Sequence, residues 1–377
     1  HTNQPTIGKI VLQQLRAFLW RKHMNNKNKN SIGMFDITRG MLMIAVVLGH
    51  SITAYVKYWE PQFTMHWWCC FLILFKPVIY GVIPMFFMMS GYGFRKKTIS
   101  KNLKDNARYL LKPYVITAAV VTLACIIENT WKHQSVKDAL WYKTVPFLLG
   151  LCPGENWLAG HYVGSIGPIW FLVVLALAGF ILNLVFRLEP EWMRAVCIIV
   201  AVAWCTRLSF ISLIPFCIIQ ALCCCGYMYI GYLLRTHDLL YESLGKKTII
   251  ILVILAFSIM IPGNIEVSQN VWALGMLDYV ASAITGFLLL RLCMLLNAER
   301  FKSKVTRALR TIGRYSLYIL CVHTMEYLAF PWTKVQSLVS GHVVLGIVIT
   351  FIMRCLIIAA GSELLKRCLE RRRRKKK

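Results

Sequence analysis

The sequence predicts an all-α fold, a polytopic membrane helix bundle with about ten transmembrane helices, and three observations support this prediction. Of the 377 residues, 58% are hydrophobic, whereas soluble domains contain roughly 45–50% apolar residues. The apolar residues gather into runs, most of which suit a helix of about 20 residues across a bilayer. The loops between the runs alternate between strongly basic and nearly uncharged, as expected of a chain that crosses a membrane repeatedly.

The apolar runs define the elements in chain order. They lie near residues 34–57, 67–94, 108–129, 167–187, 193–207, 212–234, 247–262, 271–297, 313–333 and 341–366. The runs at 193–207 and 247–262 are short for a crossing, so each is expected to be tilted, extended or partly re-entrant. An even number of crossings places both termini on one side of the membrane.

Lysines and arginines then orient the bundle. The formal net charge is +27, from 43 Lys+Arg against 16 Asp+Glu. Cations on one side of the bundle are Arg95, Lys96, Lys97, Lys101, Lys104, Arg108, Lys112, Arg187, Arg194, Arg235, Lys246, Lys247, Arg300, Lys302, Lys304, Arg307, Arg310 and Arg314, and those in the opposite loops are Lys132, Lys137, Lys143, Arg207 and Lys334. The more basic side is predicted to be cytoplasmic, which places both termini in the cytoplasm and the protein in the cell (cytoplasmic) membrane. These cations are expected to meet anionic lipid headgroups and no nucleic acid.

Two terminal segments flank a membrane domain that is predicted over residues 34–366. Residues 1–33 are expected to form a cytoplasmic amphipathic segment and linker, although the end of an upstream domain is an open alternative. Residues 367–377 are predicted to be a basic cytoplasmic tail. The 14 cysteines lie mostly inside apolar runs and lack zinc-type spacing, so neither a structural metal nor a disulfide framework is expected.

The first run places a carboxylate, a guanidinium and an imidazole on one helix. Asp36 and Arg39 lie at its start, and His50 lies near its end. The separation of Arg39 and His50, at about 100° per residue, directs both side chains to nearly the same face. Their offset along the helix axis is about 16 Å, roughly half of a bilayer core. Ionisable side chains at that depth are costly and usually functional.

This run, D-x-x-R-G followed by apolar residues and Gly49-His50, resembles the first transmembrane helix of the acyltransferase-3 family. Three further stretches are similar to weaker signatures of that family and occur in its order, at residues 86–92, 167–172 and 312–323. The resemblance covers roughly residues 34 to 366. It implies a multi-pass membrane enzyme that moves acyl groups, often acetyl from acetyl-CoA, to sugars and cell-envelope polymers.

The resemblance also implies roles for the residues of the first run. His50 is expected to be the general base, the alternative being a core histidine bonded to a neighbouring helix. Arg39 offers a fork that matches phosphate geometry and is expected to contact the donor, unless it is an interfacial anchor. Asp36 is expected to support Arg39 or to cap the helix.

A basic cluster follows Ser90 at the end of the second run, and family members carry basic residues at this place. A paired-arginine version is not present here; Lys104, Arg108 and Lys112 stand at four-residue steps instead. Those steps predict one helical face suited to the phosphates of acyl-CoA, and Ser90 is included in this expected donor site. A solvated cytoplasmic face is the open alternative.

Ionisable residues also lie within later runs. His323 and Glu326 are three positions apart and share a helical face, and both are expected to join His50 as catalytic residues. Glu326 is an orienting carboxylate for His50 in one interpretation and a partner of Lys76 in another. A structural ion pair that ties two helices together is the remaining interpretation.

The longest outer loop, near residues 130–166, is rich in aromatic side chains. They are Trp131, His133, Trp141, Tyr142, Trp157, His161 and Tyr162. An aromatic belt at the membrane interface is one interpretation, and a platform for a sugar acceptor is the other.

Three functions remain open. The first is an acyl-CoA-dependent O-acyltransferase, with acetyl-CoA as donor, a hydroxyl of a cell-envelope carbohydrate as acceptor, and no metal. The second is a carrier or permease for a small polar solute, built on Lys76, His323, Glu326 and His50. The third is a non-catalytic membrane anchor. The expected partners are membrane lipids, acyl-CoA and a carbohydrate, and formation of a homo-oligomer stays open.

Overall fold

The structure is a computed structural model that describes residues 33–55, 67–133, 135–152, 156–158, 160–209, 214–296, 303–339 and 342–374. The predicted amphipathic segment falls on residues that lie, except for residue 33, outside this described part. The last three residues of the basic tail also lie outside it.

Helices dominate the described residues, and the all-α prediction is confirmed. The helices are α1 Asp36–Thr53, α2 Trp67–Tyr92, α3 Ile99–Asn106, α4 Lys112–Trp131, α5 Val136–Leu149, α6 Trp170–Val185, α7 Glu191–Arg207, α8 Ile218–Thr236, α9 Lys246–Met260, α10 Met276–Leu296, α11 Lys304–Arg314, α12 Ser316–Ala329, α13 Trp332–Leu338 and α14 Val343–Arg374.

Short turns and two small hairpins connect the helices. A π-helical turn, Ala107–Leu111, joins α3 to α4, and 3-10 turns precede α6 and α8 at Gly167–Ile169 and Pro215–Cys217. The strands are β1 Asn156–Leu158, β2 His161–Val163, β3 Ile265–Glu266 and β4 Val271–Trp272. Strand β1 pairs antiparallel with β2, and β3 pairs antiparallel with β4.

Each of the predicted apolar runs contains an α-helix. By length and composition, 5 segments of the described chain can cross a membrane: Ile99–Trp131, Gly167–Val185, Pro215–Thr236, Met276–Leu296 and Val343–Arg367. Helix α1 is not among them, because Asp36, Arg39 and His50 lower its apolar content. The five segments support a membrane protein; the count of ten crossings does not follow from them.

Large apolar side chains cover the outside of several helices. Leu123 on α4, Ile251 on α9 and Leu356 on α14 are each more than half exposed. Meanwhile polar and charged side chains such as His323 and Arg354 are buried inside. An apolar exterior over a partly polar interior fits a lipid environment.

Helices α1, α12 and α14 form the group that positions the site. They pack against one another, and Val47, Val322 and Ile358 form a small buried apolar cluster between them. The hydroxyls of Tyr55, just after α1, and Thr350 on α14 share a hydrogen bond of 2.9 Å. These contacts place the end of α1 beside the middle of α12 and of α14.

Candidate active site

The three side chains expected to be catalytic lie together. Nδ1 of His323 lies 2.6 Å from Oε1 of Glu326, as the three-residue spacing on α12 predicts. The ring centroid of His50 on α1 lies 5.3 Å from that of His323 and 4.9 Å from that of Tyr327. The structure therefore brings His50, His323 and Glu326 into one group, while their catalytic role stays a prediction.

Arg354 on α14 completes the group, and the sequence reasoning missed it. Its Nη1 donates to Oε1 of Glu326 at 3.1 Å. Its guanidinium also lies over the rings of Trp332, at 4.5 Å, and Tyr327, at 5.3 Å. The signal was an arginine in the middle of an apolar run, which is rare enough in a membrane helix to mark a functional candidate.

The arginine also bears on the hydrogen bond between Glu326 and His323. Oε1 of Glu326 lies between the guanidinium of Arg354 and Nδ1 of His323, and a carboxylate oxygen there accepts from both. Nε2 is then the ring nitrogen of His323 left for a further partner. This Nε2 is buried and has no hydrogen-bond partner among the described residues. Buried polar atoms are normally paired, so the unpaired Nε2 makes this group a candidate functional site.

His50 differs from His323 in its access. The side chain of His323 is 0% exposed, whereas His50 is half-buried. Within the described chain, His50 makes ring contacts and no side-chain hydrogen bond. His50 is therefore the less buried of the two imidazoles, and His323 stands behind it.

The structure decides between the predicted partners of Glu326. Pairing with Lys76 is wrong, because Lys76 Nζ donates to the carbonyls of Gly263, at 2.6 Å, and Ile261, at 3.1 Å. The carboxylate does not orient His50 directly either, since it bonds to His323 instead. Both predictions rested on the similar depth of these residues in the membrane. The depth of a residue along its own helix does not determine which neighbouring helix its side chain faces.

The start of α1 explains the D-x-x-R-G pattern. Asp36 Oδ2 accepts from Nε of Arg314 at 3.0 Å, and its Oδ1 lies 3.6 Å from Nη1 of Arg39. A Cβ on Gly40 would lie 2.2 Å from the carbonyl oxygen of Leu309 on α11, so only glycine fits there. Asp36 is thus shared between two arginines. Its contact with Arg39, which the sequence predicted, is longer than its contact with Arg314.

The face of α1 between Arg39 and His50 is turned into the protein. Met43 and Val47 on this face are buried, whereas Ile44 and Leu48 on another face are exposed. The side chain of Arg39 is 41% exposed at the end of this stripe. The two residues therefore share an inward-facing stripe, as their spacing predicted.

Ser90 and its neighbours have structural contacts. The Ser90 hydroxyl donates to the Phe86 carbonyl one turn earlier, at 3.0 Å. A Cβ on Gly91 would lie 1.8 Å from the Met228 carbonyl oxygen, so α2 and α8 touch here. Phe171, from the third signature, packs its ring 5.0 Å from that of Phe87. Two of the weaker signatures are therefore packed against each other.

The predicted basic face is interrupted. Lys104, Arg108 and Lys112 are all exposed, but the π-helical turn at Ala107–Leu111 changes the helical register between them. The prediction of one regular α-helical face is therefore wrong, because the sequence does not show the extra residue per turn.

Helix α3, which carries the first of these cations, is held against α6. Nδ2 of Asn106 donates to the Ala176 carbonyl at 3.0 Å. Next to it, Nζ of Lys97 donates to Oδ2 of Asp105 at 2.6 Å. Helix α1 packs on α11, α12 and α14 and also meets the end of α2, where the ring centroids of Phe35 and Tyr92 lie 5.3 Å apart.

Two other buried ionisable residues bond to the backbone. Arg291 donates to the carbonyls of Leu239 and Glu242. Oδ2 of Asp278 accepts from the Leu274 amide at 2.8 Å. Each of these side chains ties a helix to a loop.

Comparison with known families matches the described helices to one family. The family model described as an acyltransferase domain, of the acyltransferase-3 type, matches residues 32–360. A search of curated proteins gave no match. A search of solved structures also gave none.

Proposed function

The chain belongs to the acyltransferase-3 family, and we propose that it moves an acetyl group from cytoplasmic acetyl-CoA to a hydroxyl of a cell-envelope carbohydrate. Membership supports a membrane acyltransferase. The donor, the acceptor and the base are our proposal, and one observation carries it: the buried series Arg354–Glu326–His323 ends beside the half-buried imidazole of His50.

His50 acts in this proposal as the general base. It removes the proton from the acceptor hydroxyl while the oxygen attacks the thioester carbonyl. The new C–O bond forms, the C–S bond breaks, and the proton held by His50 passes to the leaving thiolate of CoA. A route through an acylated enzyme would use the same base.

His323, Glu326 and Arg354 act as positioning residues. The carboxylate holds His323 in one tautomer, and Arg354 holds the carboxylate. The rings of His323 and Tyr327 then confine the imidazole of His50 from two directions. A base held in one orientation loses less entropy when the transition state forms.

Arg39 is the proposed contact for the donor phosphates. It is partly exposed, and its neighbour Arg314 is 67% exposed, so together they offer positive charge that exceeds the single Asp36. The offset of about 16 Å to His50 suits a long, thin pantetheine arm. Because Met43 and Val47 are buried between them, the arm enters only when α1 separates from its neighbours there.

The proposed topology keeps ten crossings with both termini in the cytoplasm. It is supported by a helix in every predicted run and by the charge difference between the two sets of loops. Labelling of single cysteines introduced at Lys104 and Asp138 with a membrane-impermeant reagent tests it. Label from outside intact cells at position 138 alone is expected, and label at position 104 would contradict the orientation.

The carrier alternative loses one of its four residues. His50, His323 and Glu326 are together, but Lys76 bonds to carbonyls at the end of α9. The polar cluster that a carrier would need is therefore not assembled as predicted.

Transfer from acetyl-CoA labelled in the acetyl group tests the proposal. Purified wild-type protein in detergent is expected to release CoA and to pass label to an acceptor, whereas His50→Ala and Arg39→Ala lose this activity. Equal activity in all three proteins would contradict the enzyme. Counterflow of a labelled polar solute into proteoliposomes without CoA would support the carrier instead.

A further inference from the structure

A cleft of about 470 Å³ lies on the outer loop, away from the His50 group. The end of α4, the helix α5 and the strand β2 form its walls. The residues that matter for its chemistry are Asn129, Asp138, Trp141, Tyr142, His161 and Tyr162. The family signatures include none of them.

Hydrogen bonds fix the walls of the cleft relative to one another. The Gly164 amide, just after β2, donates to the Tyr142 carbonyl on α5 at 3.1 Å. The Ile166 amide donates to the Leu151 carbonyl at 3.0 Å. At the start of α5, the Ser135 hydroxyl accepts from the Asp138 amide and caps the helix. The cleft is therefore a built feature and not a gap between unconnected loops.

Two pairs of rings form the apolar part of the cleft. Trp141 and His161 have centroids 4.7 Å apart, and Tyr142 and Tyr162 are stacked at 5.5 Å with an interplanar angle of 14°. The π face of an aromatic ring is negative and attracts weakly positive C–H groups. Sugar rings present such C–H groups on one face and hydroxyls at their edges.

Polar groups stand beside the rings. The carboxylate of Asp138 is exposed in the cleft and accepts hydrogen bonds from hydroxyls. Asn129 donates its amide nitrogen to the Cys125 carbonyl at 2.9 Å, which fixes the direction of its amide oxygen. The indole Nε1 of Trp141 is buried and has no partner among the described residues. A sugar oxygen would satisfy this donor, and a negative phosphate would be repelled by Asp138.

The position of the cleft suits an acceptor. Asn129 lies seventeen residues after Lys112 on α4, about 25 Å along the axis, so the cleft is across most of the bilayer from the basic turn. Gly167 packs against Leu328 of α12. Leu328 is five residues after His323, about 7.5 Å along that helix. The outer loop thus covers the end of the helix that carries the catalytic group.

We propose that this cleft binds a neutral saccharide and presents it to the His50 group. That the saccharide is the acyl acceptor rests on the proposed function, whereas binding of a saccharide in the cleft does not. Of the two interpretations of the loop aromatics, the sugar platform is the one that the ring pairs and the unpaired indole favour.

Equilibrium binding tests the proposal. The full chain in detergent is titrated with maltotriose, cellotriose and N-acetylated chitotriose, and titration calorimetry reports occupancy. At least one of these saccharides is expected to bind wild type, and Tyr162→Ala and Trp141→Phe are expected to weaken it about fivefold to tenfold. Leu148→Ala, on an exposed site of the same helix α5, is the matched control and should bind as wild type does.

The outcomes separate this proposal from the proposed function. If none of the three saccharides binds, or if the cleft variants bind as well as wild type, the saccharide site is wrong. CoA release from acetyl-CoA is measured on the same preparations. Saccharide binding without CoA release would support the saccharide site and contradict the proposed acyltransferase. CoA release without saccharide binding would support the acyltransferase and contradict the saccharide site.

Discussion

The ionisable side chains within the apolar helices of this bundle include two groups, and they differ in what they bond to. Lys76 and Arg291 donate to main-chain carbonyls where helices meet loops. Arg354 instead donates to a second side chain, Glu326, which bonds to a third, His323. The first group donates hydrogen bonds to backbone carbonyls at helix ends. In the second group, the charged side chains bond to other titratable side chains.

The difference extends to unpaired atoms. In the second group, His323 Nε2, Glu326 Oε2 and Arg354 Nε are all buried without a partner in the described part of the chain. Leaving such atoms unpaired costs about 1–3 kcal/mol each. Asp278, whose other oxygen bonds to the backbone, has one such atom, Oδ1. The second group has three of them on side chains that contact one another, and we expect the chemistry there.

The largest effect is expected at the accessible end of the second group. His50→Ala should lower acyl transfer about 10²- to 10⁴-fold, because it removes the proposed general base. Release of CoA from labelled acetyl-CoA measures the loss. Leu48→Ala, two residues earlier on the exposed face of α1, is the control and should retain the wild-type rate. A His50→Ala protein as active as this control would move the chemistry elsewhere.

The next effect distinguishes two of the buried arginines, Arg354 and Arg291. Arg354→Met leaves the Glu326 carboxylate buried with a weaker partner, so kcat should fall about 10- to 100-fold and stability by about 3–5 kcal/mol. Arg291→Met removes bonds to carbonyls and should lower stability while the folded fraction keeps its kcat. Thermal unfolding and CoA release are measured for both variants. If the two variants lost kcat equally, the comparison would fail.

A smaller effect tests the close approach behind the D-x-x-R-G pattern. Gly40→Ala places a Cβ 2.2 Å from the Leu309 carbonyl oxygen, so α1 and α11 must separate. The expected destabilisation is about 1–3 kcal/mol. Gly49→Ala on the same helix meets nothing within 4 Å and should be neutral or stabilising by up to about 1 kcal/mol. Thermal unfolding of both proteins in one detergent measures the difference, and equal melting temperatures would argue against the tight contact.

The smallest effect on activity is expected at Lys76. Lys76→Met removes two hydrogen bonds to carbonyls, each worth about 1 kcal/mol, and should leave kcat within about twofold of wild type. The carrier hypothesis requires this cation and predicts loss of function. A kcat that fell as far as in Arg354→Met would place Lys76 in the reacting group after all.

The sequence was sufficient for the helical class and for His50, His323 and Glu326, three of the residues that meet at the site. It was not sufficient for Arg354 or for which side chains pair. Apolar runs locate helices, and the spacing of His323 and Glu326 puts both on one face. Which helix faces which is set by contacts between distant residues, such as Gly40 with Leu309 or Tyr55 with Thr350, and no periodicity records them. The role of Arg354 and the partner of Lys76 both depended on that missing information.

The donor site shows a second limit. Four-residue steps predict one face only while the helix stays regular, and the π-helical turn at Ala107–Leu111 breaks that condition. The shared face of Arg39 and His50, in contrast, followed from spacing within a single regular helix. Predictions from periodicity therefore held inside elements and failed where an element changed its register or met another one.

A double-mutant cycle on kcat between His50 and Glu326 tests the central claim most directly. If Glu326 acts through His323 to position His50, then Glu326→Gln slows the wild type and has almost no further effect in His50→Ala, because the group that it positions is gone. Effects on kcat that simply multiply in the double variant would show that Glu326 and His50 act independently, and would contradict the account.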